Sequence, residues 1–250
     1  MIGDWLSSDR PPLQTGYFLF SGLVELHSNL IYQIFSTELQ TLWIIPLFII
    51  LNELKVDRFA SFTTLIVLMF NGITLVHSLF TWPKLLPVFY LILLFGILYC
   101  DNETTKNNII SSLLIGSLSA LALLTHGGSV FALLGLGSGL LLFGPKLRYK
   151  LFVLSLICFL LILAPWLYYQ HSIDPPGNRL IKWHLAGIIP IDNRSFRRAF
   201  LDSYSTLSIM QFLKLKLTNL ISVSGNISDW VPALVKSTLG GLYQGQSNYS

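Results

Sequence analysis

Charge is almost absent from four long tracts of this chain, and that distribution limits its fold more than any motif does. No Asp, Glu, Lys or Arg occurs from Phe59 to Pro83, from Leu85 to Cys100, from Asn107 to Pro145 or from Leu151 to Ile173. A helix crosses a hydrocarbon core in about 20 residues, so the first and last tracts hold one span each and the third holds two short ones. The tract from Leu85 is short, and is adequate if Lys84 snorkels to the interface. With an apolar stretch ahead of Lys55, the pattern predicts spans near 39–54, 59–80, 84–100, 109–125, 127–143 and 149–169. Unpaired backbone groups are intolerable in lipid and no alternating ten-residue pattern suggests a barrel, so the spans are expected to be helices. The predicted fold is all-α: a multi-pass transmembrane bundle of about six spans, with an outer loop and interfacial segment over 1–38, the bundle over 39–169 and a second outer loop over 170–250, in which "LSIMQFLKLKLTNLISV" (Leu207 to Val223) is either an interfacial helix or the start of a further span. The expected location is the inner (plasma) membrane.

Composition agrees. Hydrophobic residues make up 53% of the chain and charged residues 11%, against roughly a quarter charged in soluble domains. A soluble protein with so many apolar helices would have little polar surface left to face water. The formal charge of +4 does not point to nucleic acid, because no basic face interleaved with aromatics and no nucleic-acid module is present. Cys100 and Cys158 fall inside predicted spans, as small apolar fillers. No His-x-x-x-His, Cys-x-x-Cys or Ser/His/Asp pattern predicts a metal or a triad, and the residues name no cofactor.

The positive-inside rule puts "KVDR" (Lys55 to Arg58) and "GPKLRYK" (Gly144 to Lys150) in the cytoplasm. Four predicted spans separate them, an even number, so both assignments hold at once. "DNETTKNN" (Asp101 to Asn108) joins them there. The other side receives the opening "DWLSSDRPPLQ", the "TWPK" turn (Thr81 to Lys84), the "THGG" turn (Thr125 to Gly128) and "YYQHSIDPPGNRLIKWHLAG" (Tyr168 to Gly187). Parity alone thus gathers the strongly polar segments into one compartment. The opening "MIGDWLSSDR" has no basic region followed by an apolar one, and the chain is expected to be a piece of a longer protein with at least one preceding span.

Two of those segments share a device: an Asp ahead of a double proline, at Asp9 and at Asp174. The prolines fix φ and remove donors, which stiffens the elbow that presents Asp9 and Arg10. A carboxylate there can serve as a general base, and a guanidinium can clamp a phosphate. After the second elbow, Arg179 and Lys182 are three apart, on one face of a short helix with His184. Lys84 and His126 mark the remaining turns. Alone, each is equally an interfacial anchor, a helix cap or a solvated charge; together, cations at four turns with carboxylates at two suit an anionic lipid headgroup.

"DRPPL" (Asp9 to Leu13) resembles the first outer-loop elbow of GT-C glycosyltransferases of the protein mannosyltransferase and aminoarabinose transferase type. "LLTHGGSVFALLGL" (Leu123 to Leu136) is similar to their Leu-x-Lys-Gly-Pro turn, with His126 for lysine and Gly128 for proline. "APWLYY" (Ala164 to Tyr169) resembles the Pro-Trp that closes a later span. The likeness runs over about residues 1–190 as an order of hydropathy and motifs. It implies transfer of a sugar from a polyprenyl-phosphate carrier to an acceptor outside the cytoplasm. Asp9 would be catalytic, and Arg10, Lys84, His126, Arg179, Lys182 and His184 would bind the substrate. The acidic residues that normally follow the family's first span have no counterpart in this chain, which begins after that point. Two alternatives therefore stand beside the enzyme: a secondary transporter, and a non-catalytic lipid-binding remnant.

Overall fold

The computed structural model describes residues 11–26, 28–80, 82–100, 109–143, 149–173, 179–188, 190 and 192–224. Among them every regular element is a helix. The chain divides after Leu180 into two compact units.

The first unit contains α1 (Leu13–Phe20), α2 (Asn29–Thr41), α3 (Ile44–Glu53), α4 (Arg58–Met69), α5 (Gly72–Leu79), α6 (Leu86–Phe95), α7 (Ile109–Thr125), α8 (Ser129–Phe143) and α9 (Tyr149–Tyr168). Two helical runs are long and apolar enough to cross a membrane, 29–53 (α2 with α3) and 152–172, and the bent pair α4–α5 makes a third if it is one span. The first run begins at Asn29, ahead of the expected 39, and so takes up part of the segment expected to lie flat in the interface. The helices over 86–99, 109–125 and 129–142 are apolar but shorter.

The expected span at 59–80 is broken. Its halves meet at 63°, because Asn71 leaves the helix with extended backbone and turns its side chain to the new helix start, where Oδ1 accepts from Ile73 N at 3.0 Å. Such a side chain offers the backbone an alternative to continuing the helix. Asp57 does the same for α4, accepting from the N–H groups of Phe59 and Ala60. The bent pair still runs from one end of the bundle to the other. It starts just after α3, whose Ile50 borders Gly96 at the end of α6. It finishes at Phe80, whose carbonyl accepts from Gln40 beside the start of α6.

Helix α7 is the centre of this unit. Leu86, Tyr90, Leu94 and Leu98, spaced by four and hence on one face, bury against Leu118 and Ala122. The other side of α7 buries Ala120 and Leu124 against Leu163 of α9. There the helices approach closely because Gly116 has no side chain: a Cβ at that position would overlap the Ser155 carbonyl and come within 2.9 Å of Cys158 Cβ. Small residues play this part where lipid tails leave little hydrophobic drive between helices. Leu13, the last residue of the "DRPPL" elbow, packs on both clusters.

In the second unit α10 (Arg179–Ile181), whose first two residues end the first unit, runs into a wide π-type turn, Lys182–Ala186, closed by Gly187 in the left-handed region (φ +72°) where glycine fits without strain. Helices α11 (Phe196–Tyr204) and α12 (Ile209–Ser224) follow. Tyr204 donates to the Leu185 carbonyl at 2.7 Å, tying α11 to that turn.

Candidate functional site: a lysine and a histidine at one end of the bundle

Lys84 opens α6 and His126 follows α7, and because the two helices run antiparallel their ends coincide. Lys84 Nζ lies 3.0 Å from His126 Nε2. The "TWPK" and "THGG" turns therefore share one end of the bundle, as parity requires.

Both residues are held from below. Gln40, wholly buried on α2, accepts at Oε1 from Lys84 N at 2.8 Å and Leu85 N at 3.1 Å, and its amide donates to the Phe80 carbonyl. One side chain thus satisfies the first donors of α6 and pins both sides of the turn. Lys84 N also donates to the Trp82 carbonyl, closing the turn around Pro83. The Lys84 ammonium rests 5.6 Å from the centre of the Trp82 ring, a cation–π arrangement.

On the other turn, buried Ser129 donates through Oγ to the Ala122 carbonyl and through its N–H to the His126 carbonyl, which locks the α7–α8 hairpin. Gly128 N donates to His126 Nδ1 at 3.0 Å. A Cβ at Gly128 would stand 2.9 Å from that nitrogen, so the bare glycine permits the contact. The tautomer decides which contact the ring accepts: with its proton on Nδ1 it accepts from the Lys84 ammonium, and with its proton on Nε2 it accepts from Gly128 N. The ammonium keeps further N–H groups that suit an anionic oxygen, and among the described residues no carboxylate forms an ion pair with Lys84.

The other expected site residues are placed differently. Asp9 and Arg10 lie outside the described residues, as does the Asp174 elbow, and so does the side chain of His184. Arg179 and Lys182 are both buried, at 9% and 1% exposed. The Lys182 ammonium donates to the Asp192 carbonyl and fastens the loop ahead of α11. In that loop the Arg194 guanidinium grips the Asp192 carboxylate at 2.7 Å and reaches Asp202 at 2.8 Å. Hydrogen bonds from Arg194 hold the Asp192 carboxyl down to a pKa of about 2.

Gln40 escaped the sequence reading. A glutamine inside an apolar helix is costly unless its groups are used, and that was the available signal. Tyr17 of α1 was also missed; its hydroxyl is 2.6 Å from that of buried Tyr90 on α6. Comparison of the chain with protein-family models, with curated proteins and with solved structures finds no match.

Proposed function

We propose that the chain is the membrane-embedded part of a glycosyltransferase of GT-C type that uses a polyprenyl-phosphate sugar donor on the non-cytoplasmic side of the inner membrane. In this reading all six apolar stretches cross the bilayer, with α4–α5 as one bent crossing. The observation that carries it is the Lys84–His126 contact: a lysine ammonium beside a histidine, on turns held by Gln40 and Gly128, with Leu13 packed on the same helices. The acceptor hydroxyl attacks the anomeric carbon and gives its proton to the Asp9 carboxylate. The bond from that carbon to the phosphate oxygen breaks, and the electron pair leaves with the phosphate. Phosphate is a good leaving group, so cations facing it suffice and no acid is needed.

The test is binding of a polyprenyl phosphate to the reconstituted chain, read against the same polyprenol without phosphate. Charge-assisted hydrogen bonds contribute about 1.5–3 kcal/mol each, so Lys84→Met and His126→Ala should each weaken the phosphate form by about 10- to 100-fold. Arg58→Ala, at the far end, should leave it unchanged. Equal affinity for the two polyprenols would refute the site.

The 63° break between α4 and α5 favours a second reading, a secondary transporter, since such proteins use interrupted helices around their sites. Cleavage of a labelled sugar from the carrier supports the enzyme; uptake of an unmodified solute supports the transporter.

A further inference from the structure

Helix α12 has three sides with different chemistry. One side meets α11: Phe212 packs edge-on against Tyr204 with ring centres 5.6 Å apart, and Lys216 donates to the Tyr204 hydroxyl with its ammonium 5.2 Å from both rings. A second side carries Gln211, Lys214 and Thr218, spaced by three and four and all exposed. The third carries Ile209, Met210, Leu213 and Leu217, which are 81%, 75%, 55% and 58% exposed. These four positions occupy one continuous arc of the helix, about a third of a turn from the polar one, and Leu215, 43% exposed, lies beyond the polar arc.

We infer that α12 is an in-plane anchor, whose free apolar arc is buried among the acyl chains of an anionic lipid surface while Gln211, Lys214 and Thr218 face water. The occupant follows from charge and pattern. From Asp192 to Ser224 the chain holds Arg194, Arg197, Arg198, Lys214 and Lys216 against Asp192 and Asp202, and nothing acidic follows Asp202 before Ser224. Arg194 pairs with both carboxylates and Arg198 also lies 4.0 Å from Asp202, so the cations left over are Arg197, Lys214 and Lys216. A basic helix with separate apolar and polar arcs matches a surface of anionic headgroups over hydrocarbon. A crossing helix would carry Gln211 and Lys214 through the core, where polar groups at the centre are strongly disfavoured. A bilayer is also always within reach, since helices apolar enough to cross lie in the same chain. The inference rests on that membrane reading and is independent of sugar transfer.

The test uses the whole chain in vesicles of phosphatidylcholine mixed with phosphatidylglycerol, and in phosphatidylcholine alone. A nitroxide on a ketone-bearing unnatural residue, which leaves Cys100 and Cys158 intact, is placed in turn at positions 209 to 218 and at Leu161 of α9, which is 68% exposed. Collision with oxygen reports lipid; collision with a water-soluble nickel chelate reports solvent. The expected result is an oscillation at helical period, with lipid contact at 209, 213 and 217 and water contact at 211, 214 and 218. Mean depth should stay constant along the helix, and insertion should be stronger with phosphatidylglycerol. A depth that changes steadily along the helix would make α12 a span, water contact throughout would leave it unanchored, and immobile labels hidden from both reagents would mean a protein partner. Each of these overturns the inference. Lipid contact at Leu161 keeps the membrane reading intact in those cases, and its loss there would remove that reading itself.

Discussion

Replacing Gln40 by methionine, which nearly matches its length, isolates what holds the Lys84 turn. The substitution removes two accepted hydrogen bonds and one donated bond at a fully buried position. The losses are unequal. Lys84 N keeps the Trp82 carbonyl as acceptor at 2.7 Å, so only its second bond disappears, at about 0.5 kcal/mol. The Phe80 carbonyl belongs to an exposed residue and recovers a partner, again for about 0.5 kcal/mol. Leu85 N loses the acceptor that Gln40 supplies at the first turn of α6, and an orphaned donor costs about 1–2 kcal/mol. The expected destabilisation is therefore about 2–3 kcal/mol. Equilibrium unfolding of the chain in mixed micelles, followed by helical circular dichroism as the denaturing detergent fraction rises, measures it. Gln33→Met, on an exposed position of the same helix, is the control and should shift stability by less than about 0.5 kcal/mol. The Lys84 amine should also react faster with an aqueous acylating reagent in Gln40→Met. Unfolding of Gln40→Met within about 0.5 kcal/mol of the parent would refute the clamp.

Three other outcomes follow from the packing and the loop. Gly116→Leu should force α7 and α9 apart and cost at least about 1–3 kcal/mol, while Gly135→Leu, in open space on α8, should cost little in the same unfolding assay. In a cycle of Tyr17→Phe and Tyr90→Phe, each single change strands the other hydroxyl, so the double variant should be more stable than the sum of the single effects allows, by about 1 kcal/mol; strict additivity would count against the 2.6 Å contact. The Asp192 carboxyl is lowered, so its pairing with Arg194 contributes fully above the ordinary carboxylate pKa near 4 and is lost as pH falls through about 2. Infrared difference spectra against Asp192→Asn should show a carboxylate that persists to about pH 2, and protonation at the ordinary value would contradict the ion pair.

The helices were legible because long charge-free tracts, if placed in lipid, would leave the backbone no other way to pair its groups. The convergence of Lys84 and His126 was legible too, since it needs only the order of the turns. Their supports were not. Gln40 acts on residues 80, 84 and 85, a tertiary relation that no local pattern around it carries. The Asn71–Gly72 dipeptide is a turn signal that window-averaged hydropathy passes over. For Lys182 the spacing to Arg179 carried no sign, and its burial goes with the loop at Asp192, whose carbonyl its ammonium holds.

Helix α7 has 17 residues and is about 26 Å long, against about 30 Å for an average hydrocarbon layer. Under the proposed six-span reading, a bilayer that accommodates it end to end must pinch by several ångströms around the bundle, at a fraction of a kcal/mol per ångström. Such a dimple would draw headgroups down toward the helix ends and favour thin membranes over thick ones, so that reading ties the brevity of one central helix to the lipids that would meet the lysine and histidine.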